Sequence, residues 1–188
     1  MYRLGIDVGS TTTKVALIKD GELVFHKYIR HYAKQRDSIL GLLKEVKDIV
    51  LSEEVKLCLT GSGARIMASK TAIPFTQEVV ANSLALKKEY ARVGTAIELG
   101  GQDAKIIFFR ENEKGEPAVF DMRMNGSCAG GTGAFIDEIA VVLGISVTEM
   151  NDLASQGGSL YDISGRCGVF AKTDIQPLLN QGARKEDI

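Results

Sequence analysis

Neither sign of charge prevails in these 188 residues: 23 Lys+Arg stand against 24 Asp+Glu, a net charge of −1. Nucleic acid is attracted by a broad positive field or a local basic stripe, and the chain has neither, so no nucleic-acid partner is expected. No apolar run approaches the roughly 20 residues that span a bilayer. The opening MYRLGIDVGS keeps an acid at Asp7 and has no long apolar segment, so a signal peptide is not expected either. Cysteine is scarce, at 58, 128 and 167 with no CxxC pair. An odd, widely spaced set argues against a disulfide framework and fits a reducing compartment, the cytoplasm. Only 3 prolines accompany 20 glycines, the balance of a structured chain with many tight turns. Two common nucleotide-binding spellings are missing as well: neither GxxxxGK[ST] nor GxGxxG occurs, so the chain is neither a P-loop nor a Rossmann protein.

What is present, 45% hydrophobic and 25% charged residues, is an ordinary globular balance, and its pattern is α/β. Residues 2–8, 14–19 and 22–29 are rich in Val, Ile, Leu and aromatics and predict three strands, joined by a turn at 9–12 and an Asp20-Gly21 hairpin. Helical spacing of Ile39, Leu42, Leu43, Val46, Ile49 and Val50 predicts a helix over 38–51, followed by a short buried strand over 55–59. The second half predicts a helix over 78–92, strands over 95–99, 104–110 and 118–123, and helices over 132–143, 147–156 and 169–175.

The two halves align without gaps at one place. Asp7-Val8-Gly9-Ser10-Thr11-Thr12-Thr13-Lys14 lies over Glu98-Leu99-Gly100-Gly101-Gln102-Asp103-Ala104-Lys105, at a constant offset of 91 residues. An acid ending a strand, a glycine turn and a Lys opening the next strand thus occur at the same point of the same βββ pattern. This predicts two copies of one α/β unit, 1–93 and 94–188, facing each other.

A turn spelled Gly9, Ser10, Thr11, Thr12, Thr13 offers successive N–H and hydroxyl groups with little bulk, which suits phosphate oxygens. Gly100, Gly101 and Gln102 form the second such turn. Asp7 is placed to hold Mg²⁺ through water, with Glu98 as its counterpart. Lys14 supplies positive charge for phosphoryl transfer, and Gln102 or Asp103 orients the attacking water. Singly, each turn reads as a plain hairpin; the pair with its acids reads as a clamp on a nucleotide's phosphates.

A third glycine-rich segment, from Asn125 to Gly133, precedes an amphipathic helix. Exposed amides at a helix N-terminus attract anions, which adds Gly130, Gly131 and Thr132 to the candidate site, and the same field favours a thiolate at Cys128. Cys167, within Ser164-Gly165-Arg166-Cys167-Gly168, has a similar glycine-flanked setting, whereas Cys58 in Lys56-Leu57-Cys58-Leu59 reads as core. Two thiolates do not fill the four-ligand shell of zinc or an iron–sulfur cluster, and a two-fold dimer would supply four. Spacing leaves a shared cluster open against free or structural thiols. His26 and His31 read as surface residues.

Taken together, Leu4 to Lys14, Glu98 to Asp103, Asn125 to Gly133 and Arg166-Cys167-Gly168-Val169-Phe170-Ala171 resemble the activators of 2-hydroxyacyl-CoA dehydratases and the related ATPase subunits of benzoyl-CoA reductases. The resemblance implies two duplicated ribonuclease-H-like domains with mixed βββαβ sheets, the actin-like ATPase fold shared with acetate kinase, sugar kinases and Hsp70. It implies a homodimer with ATP/ADP and Mg²⁺ in each chain and one [4Fe-4S] cluster between chains, ligated by Cys128 and Cys167 of each. It further implies ATP-driven transfer of a low-potential electron, received from a donor such as ferredoxin or flavodoxin, to a dehydratase or acyl-CoA reductase in anaerobic metabolism. Glu98 stands where the family commonly has Asp, keeping the charge and moving it by one methylene. The family continues past the point where this chain stops, so a C-terminally incomplete fragment is expected. A non-redox sugar or acyl kinase, or a nucleotide-binding regulatory domain of the same fold, is the alternative.

Overall fold

The computed structural model describes residues 1–90, 92–126 and 130–188. Its first strand, β1 (Tyr2–Val8), alternates: Tyr2, Leu4, Ile6 and Val8 are buried while the residues between them are open or half-buried. That is the two-residue period of a strand with one face on a core. β2 (Thr12–Lys19) and β3 (Glu22–Arg30) follow, joined at Asp20 and Gly21. Both turn residues have positive φ, 52° and 99°, as the tight hairpin turn favoured by Asp-Gly requires. α1 (Gln35–Val50) lays Leu42, Val46 and Val50 into the core and carries the chain across to β4 (Val55–Thr60).

The resulting sheet has the order β3-β2-β1-β4, with β1 antiparallel to β2 and parallel to β4. This is the βββαβ unit expected for the first half. Its core joins Leu4, Ile6, Val8, Val15, Leu17 and Leu59 to the buried face of α1, and each such aliphatic side chain contributes about 1.5–3 kcal/mol on burial. In this register Asp7, near the end of β1, lies between Lys14 of β2 and Thr60 of β4.

After β4 come α2 (Arg65–Thr71) and α3 (Glu78–Glu89), then β5 (Thr95–Leu99), β6 (Ala104–Glu111) and β7 (Pro117–Met124) in a second sheet of order β5-β6-β7. α4 (Gly133–Leu143), α5 (Val147–Ala154) and α6 (Gly168–Asn180) complete the chain, with Ile139, Leu143 and Ile175 at the centre of a second core. The sequence pattern misses α2, whose seven residues include none that is buried and so carry no apolar stripe to read. It also ends the last helix too early, because Pro177 lies inside α6 and a proline ordinarily stops a helix.

The chain forms two compact units, Met1–Gly94 with Phe108–Phe120, and Thr95–Ile107 with Asp121–Ile188. The tip of the β6–β7 hairpin therefore groups with the first unit, a division that the linear boundary at 93/94 does not contain. Among the described residues no helix is long and apolar enough to cross a membrane.

Candidate functional site

Between β1 and β2 the chain reverses through Gly9, Ser10 and Thr11, closed by a hydrogen bond from the Gly9 amide to the Thr12 carbonyl at 2.9 Å. Ser10 and Thr11 are partly open, and their amides donate to no acceptor among the described residues. Below the turn, Lys14 Nζ lies 2.6 Å from Asp7 Oδ2. The other carboxylate oxygen, Asp7 Oδ1, is buried with no hydrogen-bond partner among the described residues. Gly61, in the turn after β4, closes over it: a Cβ at that position would collide with Asp7 Oδ1 and the Val8 carbonyl. The sequence assigns Lys14 to phosphate; in this arrangement its ammonium pairs with Asp7.

The second turn repeats the first. The Gly100 amide donates to the Asp103 carbonyl at 2.8 Å, and Lys105 Nζ lies 3.3 Å from Glu98 Oε1. Every partner in this set is the residue 91 positions after its counterpart, so the sequence repeat is a repeat of backbone closure and of ion pairing. Here the lysine is buried, whereas Lys14 is partly open. Gln102 and Asp103 are exposed at the tip of the turn, open to a water molecule.

The alternation of β2 removes one member of the proposed phosphate set. Thr13 is fully buried, with its hydroxyl inside the sheet, and Thr12 is nearly so. Ser10 and Thr11 are left as the hydroxyls open at this turn. The anion site expected at the start of α4 is likewise changed. Gly133 and Ala134 donate their amides to the carbonyls of Gly100 and Gly101, at 2.8 and 3.0 Å, the Phe135 amide goes to Thr132 Oγ1 and the Ile136 amide to the Thr132 carbonyl. The amides of the first three helical residues are thus used and the Ile136 amide makes the first intrahelical bond, so this helix end is a tether from turn 2 to α4. Thr132 is its fully buried N-cap; Gly130 and Gly131 remain partly or wholly open.

Cys128 lies outside the described residues. Asn125 accepts the Ala104 amide on its Oδ1 at 2.8 Å and reaches the Gly130 carbonyl from Nδ2 at 3.5 Å. Cys167 is a half-buried free thiol at the N-cap of α6 and makes no side-chain cap hydrogen bond. Next to it Gly168 packs on the Phe135 ring of α4, where an added Cβ would stand 2.8 Å from Cδ2. Among the described residues no group of three or more His, Cys, Asp or Glu could hold a metal ion within one chain.

Two further placements differ from the sequence expectation. Cys58 is half-buried and lines an apolar cavity of about 360 Å³ with Asp7, Lys14 and Leu84, its Sγ 3.4 Å from Thr76 Oγ1. His26 is exposed, but His31 is buried and stands behind the first turn, Nε2 3.1 Å from the Gly9 carbonyl. No local signal marks it, since the contact spans 22 residues.

Comparison with known proteins then places the chain. The profile of the BadF/BadG/BcrA/BcrD ATPase family matches residues 4–188. The (R)-2-hydroxyglutaryl-CoA dehydratase activating ATPase of Acidaminococcus fermentans is 30% identical over 190 residues, covering 100% of this chain and 71% of the relative. Among solved structures, the activator of the 2-hydroxyisocaproyl-CoA dehydratase from Clostridium difficile, with bound ADPNP, superposes with a TM-score of 0.85 at 29% identity, covering 100% of this chain and 69% of that one. The crystal structure of the Acidaminococcus fermentans (R)-2-hydroxyglutaryl-CoA dehydratase component A gives 0.83 at 30% identity, over 100% and 71%.

Proposed function

The chain belongs to the BadF/BadG/BcrA/BcrD ATPase family, and on that premise we propose that it is an ATP-hydrolysing activator which delivers a low-potential electron to a 2-hydroxyacyl-CoA dehydratase or a related acyl-CoA reductase. The observation that carries the reading is the doubled turn, each copy with its closing amide bond and its acid–lysine pair. The first turn, with its Ser10 and Thr11 amides and hydroxyls open, suits phosphate oxygens of ATP, and the second repeats its closure and ion pair. The ADPNP bound to a close structural relative supports the same assignment.

Asp7 fits Mg²⁺. Its Oδ1 is a hard-oxygen acceptor left without a partner among the described residues, and magnesium is held through one or two carboxylates with substrate phosphates completing the shell. Lys14 pairs with Oδ2 and so orients this carboxylate. Gln102 and Asp103, exposed at the second turn, orient the attacking water, and Glu98 is held in place by Lys105.

Cys167 fits a cluster ligand: it is a free thiol, half-buried, at the amide end of a 13-residue helix. With Cys128 it gives two ligands per chain, so two chains complete four. A [4Fe-4S] cluster bound there supplies one low-potential electron. The two amide bonds from α4 tie the carbonyls of Gly100 and Gly101 at turn 2 to the start of that helix.

Iron and acid-labile sulfide, measured on anaerobically reconstituted protein of known oligomeric state, test this reading. About four irons per dimer are expected, lost in Cys128→Ser and Cys167→Ser and kept in Cys58→Ser. Hydrolysis of ATP with no iron at any stoichiometry would overturn the electron-transfer function.

A further inference from the structure

We propose that His31 is a positioning residue for the first phosphate turn: its buried imidazole holds the Gly9 carbonyl back so that the turn presents amides rather than carbonyls to phosphate. The inference rests on the nucleotide reading above and adds a residue that lies outside the doubled motif.

An anion cradle works only if successive N–H groups point outward and the intervening carbonyls point away. Three carbonyls of this turn are engaged. The Thr12 carbonyl accepts from the Gly9 amide at 2.9 Å, the Thr11 carbonyl from the His31 amide at 3.2 Å, and the Gly9 carbonyl from His31 Nε2 at 3.1 Å. His31 therefore supplies two of the three donors. What it leaves unengaged are the Ser10 and Thr11 amides, which donate to nothing among the described residues.

The ring is fixed in the tautomer this needs. His31 Nδ1 accepts the Ala33 amide at 3.2 Å, so Nδ1 carries no proton and Nε2 carries the one that goes to Gly9. Ala33 reaches that position only because Tyr32 and Ala33 both adopt positive φ, 46° and 62°. Two consecutive non-glycine residues in the left-handed region are strained, and such strain persists where the surroundings demand it, often at ligand clamps. The Lys34 amide, returning to the His31 carbonyl at 2.7 Å, closes this strained turn.

The second turn supplies an internal control. Gly100 is the counterpart of Gly9, and its carbonyl is also held back, by the Gly133 amide at 2.8 Å. The same carbonyl is thus restrained in both copies by unrelated donors: a helix N-terminus in one and an imidazole in the other. A histidine that merely filled space would not take over the bond that the other copy makes from its backbone.

The test compares Mg·ADPNP affinity, by calorimetry, in the parent chain, His31→Phe, His31→Gln and a stability control, Leu42→Ala in the core beneath α1. His31→Phe is expected to bind about tenfold more weakly, the scale of losing one orienting hydrogen bond. His31→Gln, which restores an N–H near the Nε2 position, recovers most of the affinity, and Leu42→Ala binds like the parent despite a comparable fall in melting temperature. Parent-like affinity in His31→Phe, or equal losses in His31→Phe and Leu42→Ala, would overturn the proposal while leaving the ATPase reading intact. No ADPNP binding by the parent would instead sink the nucleotide reading, and this inference with it. Independently of any variant, ¹⁵N spectra of the His31 ring must show the proton on Nε2; a proton on Nδ1 contradicts the proposal.

Discussion

Lys14 Nζ stands 2.6 Å from Asp7 Oδ2, directly across the antiparallel register of β1 and β2. The lysine takes one carboxylate oxygen and leaves Oδ1 buried against Gly61 without a partner among the described residues. A carboxylate held on one side and unsatisfied on the other is suited to a small hard cation or its water shell. Asp7→Asn keeps the shape and removes the charge. ATP hydrolysis is expected to fall by about a hundredfold, in the range typical for a positioned catalytic group, while ADPNP binding measured in EDTA is unchanged. A kcat equal to that of the parent would take Asp7 out of the magnesium site.

The two turns differ in how much room they leave. An added Cβ at Gly100 would lie 2.6 Å from the Asp103 carbonyl, whereas at Gly9 it would lie 3.4 Å from the Thr12 carbonyl. Gly100→Ala should therefore destabilise by about 1–3 kcal/mol, the usual range for overpacking, and Gly9→Ala by less. Denaturant unfolding of the two variants side by side checks the order; the reverse order would mean that the Gly100 turn relaxes freely.

The start of α6, beside Cys167, packs tightly on α4. A methyl at Gly168 would meet Phe135 Cδ2 at 2.8 Å, so Gly168→Ala displaces either the ring or the N-terminus of α6. Reduced iron content after anaerobic reconstitution is expected, restored when Phe135→Leu is combined with it. If Gly168→Ala keeps full iron loading, the packing beside Cys167 is irrelevant to cluster assembly.

Acid weakens two carboxylate contacts in the second unit. Glu149 lies below the ordinary carboxylate range because the Ser146 hydroxyl and then the Ser146 amide hydrogen-bond to it, in the capping box of α5. Asp187 is lowered by the Gly158 amide, then by the Ser159 amide. A carboxylate depressed in the folded state contributes stability above its unfolded pKa and loses it as pH falls through the folded value. The melting temperature of Glu149→Gln/Asp187→Asn should therefore fall less steeply with acidification than that of the parent. Because both groups are exposed the difference is small, and parallel curves would show that neither interaction matters to the fold.

The elements legible from local order are those whose period was unbroken. β1 and β5 have the bounds that the sequence predicts, the Asp20-Gly21 turn follows from two residues that tolerate positive φ, and the fold class follows from the order of such segments. The doubled turn was legible too, because a repeat of type and spacing carries into a repeat of register: Asp7 opposite Lys14 is a consequence of where the hairpin begins. What a linear pattern cannot contain is contact made through a crossover. Gly61 reaches Asp7 because α1 returns β4 parallel to β1, and His31 reaches Gly9 because β3 ends beside the first turn. The sequence leaves the α4 amides open to an anion, yet turn 2 takes Gly133 and Ala134 and the Thr132 hydroxyl takes Phe135. Residue type and period set which groups can bond, and chain return decides which donor meets which acceptor, because a hydrogen bond is won by whichever partner is held within about 3 Å.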